Sequence, residues 1–477
     1  MLILLQKKIR RFHIVILCLT IVTAPVFLPG QLRAGSFSVG TEKEIGDKMQ
    51  SLIRKDFKLI NAPDVAQYIN DLGHHILNVA GSQYFDYQFF VIDNKDFNAF
   101  AAPSGLIFIH SGLISAMDNE GELLGVLAHE IAHVTKRHLA DRIDKAAKVN
   151  IGTVALILAG IAMGSSGEGE LSEAVVAGAM ATGASMNLKF SREDEEEADR
   201  MAFNWMLKMG ENPESILSML GKMRRISILK TGNIPPYLLT HPNPAQRLGY
   251  VQDLINIQDG ELPQSSHSDF DFQRIRYRIL AATNDNQALV PRLLKKIKEG
   301  EDPDYFLRMG LAQIYIGEGS YDQGRKYLNE VIEKYPNRPI LKSDLGYTYL
   351  GEGQNEKALK IFMEALQDDP NDAFTIFNLA RALDQTNQTE QAIKYYEELL
   401  TITPTYAKTH YYLGQAHPKQ GRIGMGHYHT GLYNWLEGDV ENAKYHLNKA
   451  MDKLPSESIY RKKSQEMLDK IAKLEKL

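Results

Sequence analysis

A regular repeat dominates the second half of the chain. Prolines recur at equal intervals, at Pro336, Pro370 and Pro404. Small residues keep the same interval at two further positions of the repeat: Ala312, Gly346, Ala380 and Gly414, and then Gly324, Ala358 and Ala392. Small residues let paired helices touch, and proline ends the second helix of a pair. The pattern therefore predicts a solenoid of stacked helix pairs.

This interval and chemistry are those of tetratricopeptide repeats, of which about four are recognisable. Residues 268–305 predict one or two degenerate helices before them. The register then returns half a repeat late, at Gly431, Ala443 and Pro455. The late return predicts one extra helix, around residues 424–435, inserted or duplicated within the array.

The concave face of such a solenoid is expected to bind protein. Four polar side chains are candidates for this groove, although tyrosines at these spacings are also typical of the repeat core: Tyr347, Tyr349, Asn378 and Tyr411.

Length and charge limit the classes of function. A chain of 477 residues is too long for one core, and it predicts two or three domains. The net charge of -5 gives no reason to expect nucleic acid as a partner. The only cysteine, Cys18, lies within the segment 1–34, so we expect neither disulfides nor a thiol nucleophile in the mature chain.

Residues 1–34 are interpreted as an export signal. A basic stretch from Lys7 to Arg11 precedes an apolar stretch from Phe12 to Leu28, and Ala34 offers a cleavage site. The apolar run is short for a membrane span, so we favour a cleaved signal over a retained anchor.

The sequence His129-Glu130-Ile131-Ala132-His133 is the strongest chemical motif. Asn119, Glu122 and the apolar spacing after them predict a helix here. On a helix the two histidines share one face and can hold a single metal ion, while Glu130 can take a proton from a water molecule beside it. This chemistry predicts a zinc peptidase.

A catalytic zinc site requires a third protein ligand, and the acidic run 191–199 offers one. Glu195 and Asp199 lie four residues apart on one face of a predicted helix. Glu195 can bind the metal, and Asp199 can accept the N–H of a zinc-bound histidine. The alternative is an ordinary solvated helix start, which negative charge favours.

These motifs resemble those of the gluzincin metallopeptidases, the group that includes the CAAX prenyl proteases and their soluble bacterial relatives. The resemblance covers about residues 40–250 and includes the segments 98–101 and 105–109 before the helix. It implies that His129, His133 and Glu195 bind one Zn²⁺ per chain and that Glu130 is the catalytic base.

With its repeats included, the chain resembles periplasmic members of the group that are fused to tetratricopeptide repeats. This resemblance implies protein substrates, quality control of outer-membrane proteins and contact with the outer-membrane barrel-assembly machinery.

The resemblance also implies a role for His241, which lies in the proline-bounded segment 240–244. A histidine in this loop can swing over the zinc as a fourth ligand and hold the enzyme latent. Arg247 can steady the loop or a transition-state oxyanion, and the sequence does not distinguish between these roles.

Two strands are predicted, at 84–92 and 106–109, joined by a turn-rich connection at 98–105. The second strand is expected either to form a sheet edge beside the metal, where a substrate peptide can add, or to close a hairpin under the metal helix. Four further histidines are expected to have structural roles: His74, His75, His110 and His138.

The segment 149–186 contains two apolar stretches, neither of the roughly 20 residues that a bilayer span requires. A helical hairpin that shields the active site is the first interpretation. A lid that makes peripheral contact with a membrane is the second.

The sequence thus predicts a mainly α chain: an α+β zincin-like domain with a small sheet, followed by an α-solenoid. The expected division is a signal peptide at 1–34, a metalloprotease domain at 36–258, a linker at 259–267 and repeats at 268–477. The expected function is a periplasmic zinc endopeptidase, with a chaperone or adaptor of largely latent protease activity as the alternative. The sequence does not indicate the oligomeric state.

Overall fold

The computed structural model describes residues 38–145, 150–163, 189–229, 236–264, 269–283 and 286–476. The predicted signal segment 1–34 and most of the segment 149–186 lie outside these residues. In the part that is described, no helix is both long and apolar enough to cross a membrane.

The first half of the chain is built mainly of helices around a small sheet. The described helices are α1 (Val39–Asp56), α2 (Pro63–Ala80), α3 (Ser111–Ala116), α4 (Glu120–Thr135), α5 (His138–Lys145), α6 (Ile151–Met163), α7 (Arg192–Met209), α8 (Glu214–Leu229), α9 (Pro236–Thr240) and α10 (Pro244–Asn256). Of the predicted hairpin or lid, only its first stretch, α6, is described, and that stretch is helical.

The sheet has three strands in the order β1-β3-β2: β1 (Gln88–Ile92), β2 (Ala99–Ala102) and β3 (Leu106–His110). β1 pairs with β3 in parallel, and β2 pairs with β3 in the antiparallel direction with Phe100 opposite Phe108. β3 is buried at every residue because it is the central strand.

The sheet corrects three sequence predictions. The connection 98–105 was predicted as a turn, but Ala99–Ala102 is a strand because β3 supplies its hydrogen-bonding partner. The second predicted strand is therefore central, and β1 and β2 are the two edge strands. The first strand also begins later than predicted, at Gln88.

Helix α4 carries the metal motif through the middle of this core. Its N-cap is Asn119, whose side chain accepts from the N–H of Glu122 at 3.0 Å, as the sequence predicted. All but two of its residues, Glu120 and Thr135, are buried. This helix is buried on every side because other elements cover all of its faces.

The second half is a run of paired antiparallel helices. They are α11 (Phe270–Thr283), α12 (Asn286–Lys298), α13 (Phe306–Gly317), α14 (Tyr321–Lys334), α15 (Pro339–Gly351), α16 (Asn355–Asp368), α17 (Ala373–Gln385), α18 (Thr389–Ile402), α19 (Ala407–Lys419), α20 (Ile423–Leu436), α21 (Val440–Lys453) and α22 (Ile459–Glu475). The predicted fold class, an α+β domain followed by an α-solenoid, is confirmed. The predicted pair of helices before the repeats is α11 and α12.

A helix, α20, lies at the position of the predicted extra helix, and that it is inserted or duplicated stays a prediction. α20 begins at Ile423, one full repeat after α18 begins at Thr389, so it holds the place of the second helix after α19. It also has glycines on two faces. Gly426 lies against Gly414 of α19, whereas Gly431 lies against Leu447 of α21. Both neighbours approach closely. The small residues of α20 therefore follow both the register of the earlier repeats, at Gly426, and the register that is shifted by half a repeat, at Gly431.

The candidate groove residues differ in burial. Asn378 is fully buried and donates to the carbonyl of Phe374 at 2.8 Å, so it belongs to the repeat core. Tyr347 and Tyr349 are half-buried, and Tyr411 is exposed.

The solenoid contacts the first half of the chain at several points along its length. Arg274 of α11 pairs with Asp64 of α2 at 2.9 Å and with Asp344 of α15 at 2.7 Å. At the other end, Lys470 of α22 pairs with Asp47 of α1 at 2.7 Å. Residues 39–477 accordingly form one compact unit. The division into domains with a linker at 259–267 stays a prediction.

Candidate metal centre

Helix α4 presents His129 and His133 one turn apart on one face. Their Nε2 atoms lie 3.0 Å apart, and both side chains are buried. Glu130, between them, is fully buried, and neither of its carboxylate oxygens has a hydrogen-bond partner among the described residues. A buried carboxylate without such a partner lowers the stability of the fold. Groups of this kind are typical of catalytic sites, where they are retained for their chemistry.

Helix α7 brings two carboxylates to the same place. A capping box at Ser191 starts this helix. One turn later, Glu195 lies with its Oε1 atom 3.5 Å from Nε2 of His133. One further turn along, Oδ1 of Asp199 lies 2.9 Å from Nδ1 of His129, on the side of the ring that faces away from His133.

The loop between α9 and α10 supplies His241. Its Nδ1 atom lies 3.2 Å from Nε2 of His129 and 3.0 Å from Oε1 of Glu195. Its Nε2 atom lies 3.5 Å from Oε1 of Glu130. Donor atoms of His129, His133, Glu195 and His241 all lie within 4.8 Å of one another, and all four side chains are buried.

Arg247 of α10 is held at the back of this cluster. Its guanidinium donates to both carboxylate oxygens of Asp199, at 2.7 and 2.8 Å, and pairs with Oε2 of Glu195 at 2.9 Å. The sequence left two roles open for Arg247, steadying the loop or steadying a transition-state oxyanion. The structure shows a third role, because Arg247 holds the carboxylates of Glu195 and Asp199 in place.

The charges of this cluster stabilise the ionised carboxylates. Burial alone would raise the pKa of Glu195, but Arg247 and His241 outweigh burial and hold that pKa well below its usual range. Burial likewise opposes the ionisation of Asp199, yet Arg247 and His129 hold its pKa at about 2. Burial also holds the pKa of His133 well below its usual value, so its ring is neutral and has a lone pair free for a metal.

The sequence missed three side chains of the site. Phe190 stacks on His133 with ring centroids 4.0 Å apart, and Tyr237 stacks on His241 at 4.3 Å. His138, expected to be structural, lies with its Nδ1 atom 2.9 Å from Nδ1 of His133. His138 follows His133 by five residues, which was the only indication in the sequence. This spacing does not by itself predict a contact, because the contact depends on the backbone turn between the two residues.

The remaining histidines near the motif do not join the cluster. His110 is fully buried at the end of β3, where Phe100 meets it edge-on. Among the described residues, the group that can hold a metal is the one formed by His129, His133, Glu195 and His241.

Two parts of the chain match models of known protein families. Residues 63–255 match the model of peptidase family M48. This part of the chain is similar to an M48 peptidase domain. Residues 309–373 and 349–408 match two models of tetratricopeptide repeats, so the M48 domain precedes a repeat array, as the sequence predicted.

Three relatives share parts of this organisation. The chain is 31% identical to the beta-barrel assembly-enhancing protease of Escherichia coli strain K12 over 64% of its own length and 62% of that protein. The M48 domain region is also similar to metalloprotease LoiP of the same organism, at 28% identity over 46% of this chain and 83% of LoiP. The mitochondrial metalloendopeptidase OMA1 of Schizosaccharomyces pombe is 26% identical over 39% of this chain and 52% of its own. The chain therefore spans less than two thirds of the assembly-enhancing protease that it matches.

Proposed function

We propose that the protein is a zinc-dependent endopeptidase whose repeat domain recruits protein substrates. The observation that carries this proposal is the convergence of four buried metal-donor groups beside Glu130, a buried carboxylate whose oxygens have no hydrogen-bond partner among the described residues. Metallopeptidase chemistry requires both features in one place.

The donor set fits zinc. Imidazole nitrogens and a carboxylate oxygen are ordinary zinc ligands, and donors arranged tetrahedrally at about 2.0–2.1 Å from zinc lie about 3.3 Å from one another. The observed separations of 3.0 Å between His129 and His133 and 3.2 Å between His129 and His241 are close to this value. Zn²⁺ held by His129, His133 and Glu195 supplies a Lewis acid that acidifies water and polarises the scissile carbonyl.

The side chains around the ligands have distinct tasks in this proposal. Glu130 takes the proton of the attacking water and returns a proton to the leaving amine. Asp199 accepts the Nδ1–H of His129 and so leaves Nε2 free to bind metal. Arg247 keeps both Glu195 and Asp199 ionised and oriented.

An extended peptide is the substrate that the sheet favours. β2 lies at the sheet edge next to α4, and in the described part of the chain its backbone pairs only with β3. A peptide that adds to this edge gains main-chain hydrogen bonds without any sequence requirement. An unfolded polypeptide has main-chain groups free to pair with this edge, whereas a folded one does not.

His241 makes the arrangement a latent one in our proposal. Its Nδ1 atom occupies the place of the fourth donor, and its ring is 1% exposed. Substrate chemistry requires this position to be open. The loop between α9 and α10 would therefore move for cleavage to occur, and His241 is a regulatory fourth ligand.

The cellular role is proposed from the similarity to the beta-barrel assembly-enhancing protease. In this role the chain acts in the periplasm on outer-membrane β-barrel proteins and contacts the barrel-assembly machinery through its repeats. The second candidate, a chaperone or adaptor with largely latent protease activity, is favoured by the placement of His241 in the metal cluster.

Cleavage of casein by the purified mature chain tests the proposal. We expect low activity in the parent, none in Glu130→Gln, and higher activity in His241→Ala, because each change affects one defined step. His74→Ala is a matched control, since His74 is exposed on α2 and should leave cleavage unchanged. Stoichiometric zinc without cleavage in any variant would favour the chaperone, and a parent without zinc would contradict the metal assignment.

A further inference from the structure

The two metal-binding histidines of α4 differ in what lies behind them. When Nε2 of a histidine binds metal, Nδ1 carries the proton and requires an acceptor. For His129 that acceptor is the carboxylate of Asp199. For His133 no carboxylate occupies the equivalent place among the described residues, and Nδ1 of His138 lies there instead, at 2.9 Å.

The backbone after α4 places His138 at this point. Arg137 has a φ angle of 56°, a left-handed conformation that turns the chain sharply and starts α5 at His138. The side chain of His138 is only 6% exposed. Phe190 stacks on the His133 ring, so the plane of His133 is set from two sides.

The protons of this contact have one consistent arrangement. Nε2 of His133 faces the metal cluster, so its proton is on Nδ1, which donates to Nδ1 of His138. His138 then carries its own proton on Nε2, which donates to Oε2 of Glu197 at 3.1 Å. The other oxygen of Glu197 pairs with Lys136 at 2.5 Å. Each ring thus has one donor and one acceptor nitrogen, and both are used.

We propose that His138, anchored by Glu197, is a positioning residue that fixes the tautomer and orientation of the zinc ligand His133. The inference rests on the proposed function, because it concerns the same metal. It assigns a neutral acceptor to His133, in contrast to the charged acceptor of His129. The two ligands therefore differ in basicity, with His129 the stronger donor.

Zinc affinity, measured by competition with a chelator, is the direct test. His138→Phe removes the acceptor but keeps a flat ring, and we expect zinc to bind roughly 10- to 100-fold more weakly. His138→Asn places an amide oxygen near the position of Nδ1, and we expect it to restore affinity to within a few-fold of the parent. Unchanged affinity in His138→Phe would overturn the inference.

Substitution of Glu197 provides a second, independent test of the inference. Glu197→Gln should weaken zinc binding in the parent but have no further effect in His138→Asn, because the asparagine does not reach Glu197. Glu193→Gln is the matched control: it makes the same charge change on an exposed residue of the same helix. Equal effects of Glu193→Gln and Glu197→Gln would reduce the result to general electrostatics and would contradict the anchor.

Cobalt substitution separates positioning from folding. The visible spectrum of bound Co²⁺ reports ligand geometry, and we expect it to change in His138→Phe while the thermal unfolding of the metal-free proteins stays similar. If His138→Phe does not fold, His138→Asn and Glu197→Gln still decide the matter. A parent that binds zinc but cleaves nothing would contradict the proposed function and leave this inference standing.

Discussion

At the scale of residues, the centre depends on one cation placed among anions. Arg247 is buried to 6% exposure between Glu195 and Asp199, and its pKa lies well above its usual value because these two carboxylates outweigh the cost of burial. Arg247, Glu195 and Asp199 must keep this arrangement both with and without the positive charge of a metal ion. Arg247 is therefore the group that keeps the centre assembled before metal arrives.

Replacing this cation should destabilise the metal-free protein most. In Arg247→Met two buried carboxylates lose their partner, a change that typically costs about 3–5 kcal/mol. Zinc restores positive charge at the same place, so we expect the loss of thermal stability to be larger without zinc than with it. Thermal unfolding of both forms measures this difference. Arg200→Met, at an exposed position of α7, is the control, and an equal loss in both forms of Arg247→Met would contradict the argument.

The sequence predicted the residues of the site better than their partners. The ligand candidates could be found because their spacing on a helix has a fixed geometric meaning, as for His129 and His133. His138 and Tyr237 could not, because their positions depend on a left-handed turn at Arg137 and on the packing of α9, which no local pattern encodes.

At the scale of elements, helices α19 and α20 bury three histidines between them. Nδ1 of His410 lies 2.9 Å from Nδ1 of His429, and the ring of His417 stacks on that of His429 at 5.2 Å. Burial lowers the pKa of His410 and of His417 to about 4, and that of His429 well below its usual value. All three rings are neutral in the fold at neutral pH.

This cluster predicts acid sensitivity of the last repeats. The unfolded chain takes up protons near pH 6.5, whereas the folded chain takes them up only near pH 4, so the free energy of unfolding falls as pH drops between these values. For each histidine with a folded pKa of about 4 the loss at pH 5 is about 2 kcal/mol. Hydrogen exchange in α19 and α20 at pH 7.5 and pH 5 measures it.

A matched pair of variants tests the cause. His417→Leu should reduce the acid effect, because it removes one buried group that protonates on unfolding. His74→Leu, at an exposed position, should leave the effect unchanged. Equal pH dependence of exchange in the parent and in His417→Leu would exclude His417 as a source of the sensitivity.

The sequence mispredicted β2 because its identity as a strand depends on a neighbour. β2 is four residues long and rich in alanine, so only its pairing with β3 makes it a strand. In α20 the small residues change register because this helix packs closely on both sides, at Gly426 and at Gly431. Long periodic helices such as α4, by contrast, were predicted from local spacing alone.

At the scale of the whole molecule, a buried arginine joins the two halves of the chain. Arg274 of α11 pairs with Asp344 of α15 and with Asp64 of α2, and all three side chains are buried. Asp64 comes from the catalytic half, and its pKa is lowered because Arg278 and Arg274 outweigh the effect of burial.

Removing the charge of Asp64 should uncouple the two halves. In Asp64→Asn the arginines lose a buried partner, at a cost of roughly 3–5 kcal/mol, and we expect calorimetric unfolding to separate into two transitions. Asp71→Asn, at an exposed position of the same helix, is the control and should shift stability by no more than about 0.5 kcal/mol. A single unchanged transition in Asp64→Asn would show that other contacts hold the halves together.

The attachment of the solenoid near both of its ends, through Arg274 and through Lys470, has a consequence for which bonds are cut. A solenoid held in this way cannot swing or stretch freely, so its concave face stays at a set distance from β2. In the proposed function the molecule then works as a ruler. A bound polypeptide is cut only when its unfolded part is long enough to reach from the concave face to β2. The length of the unfolded part therefore decides which proteins are substrates.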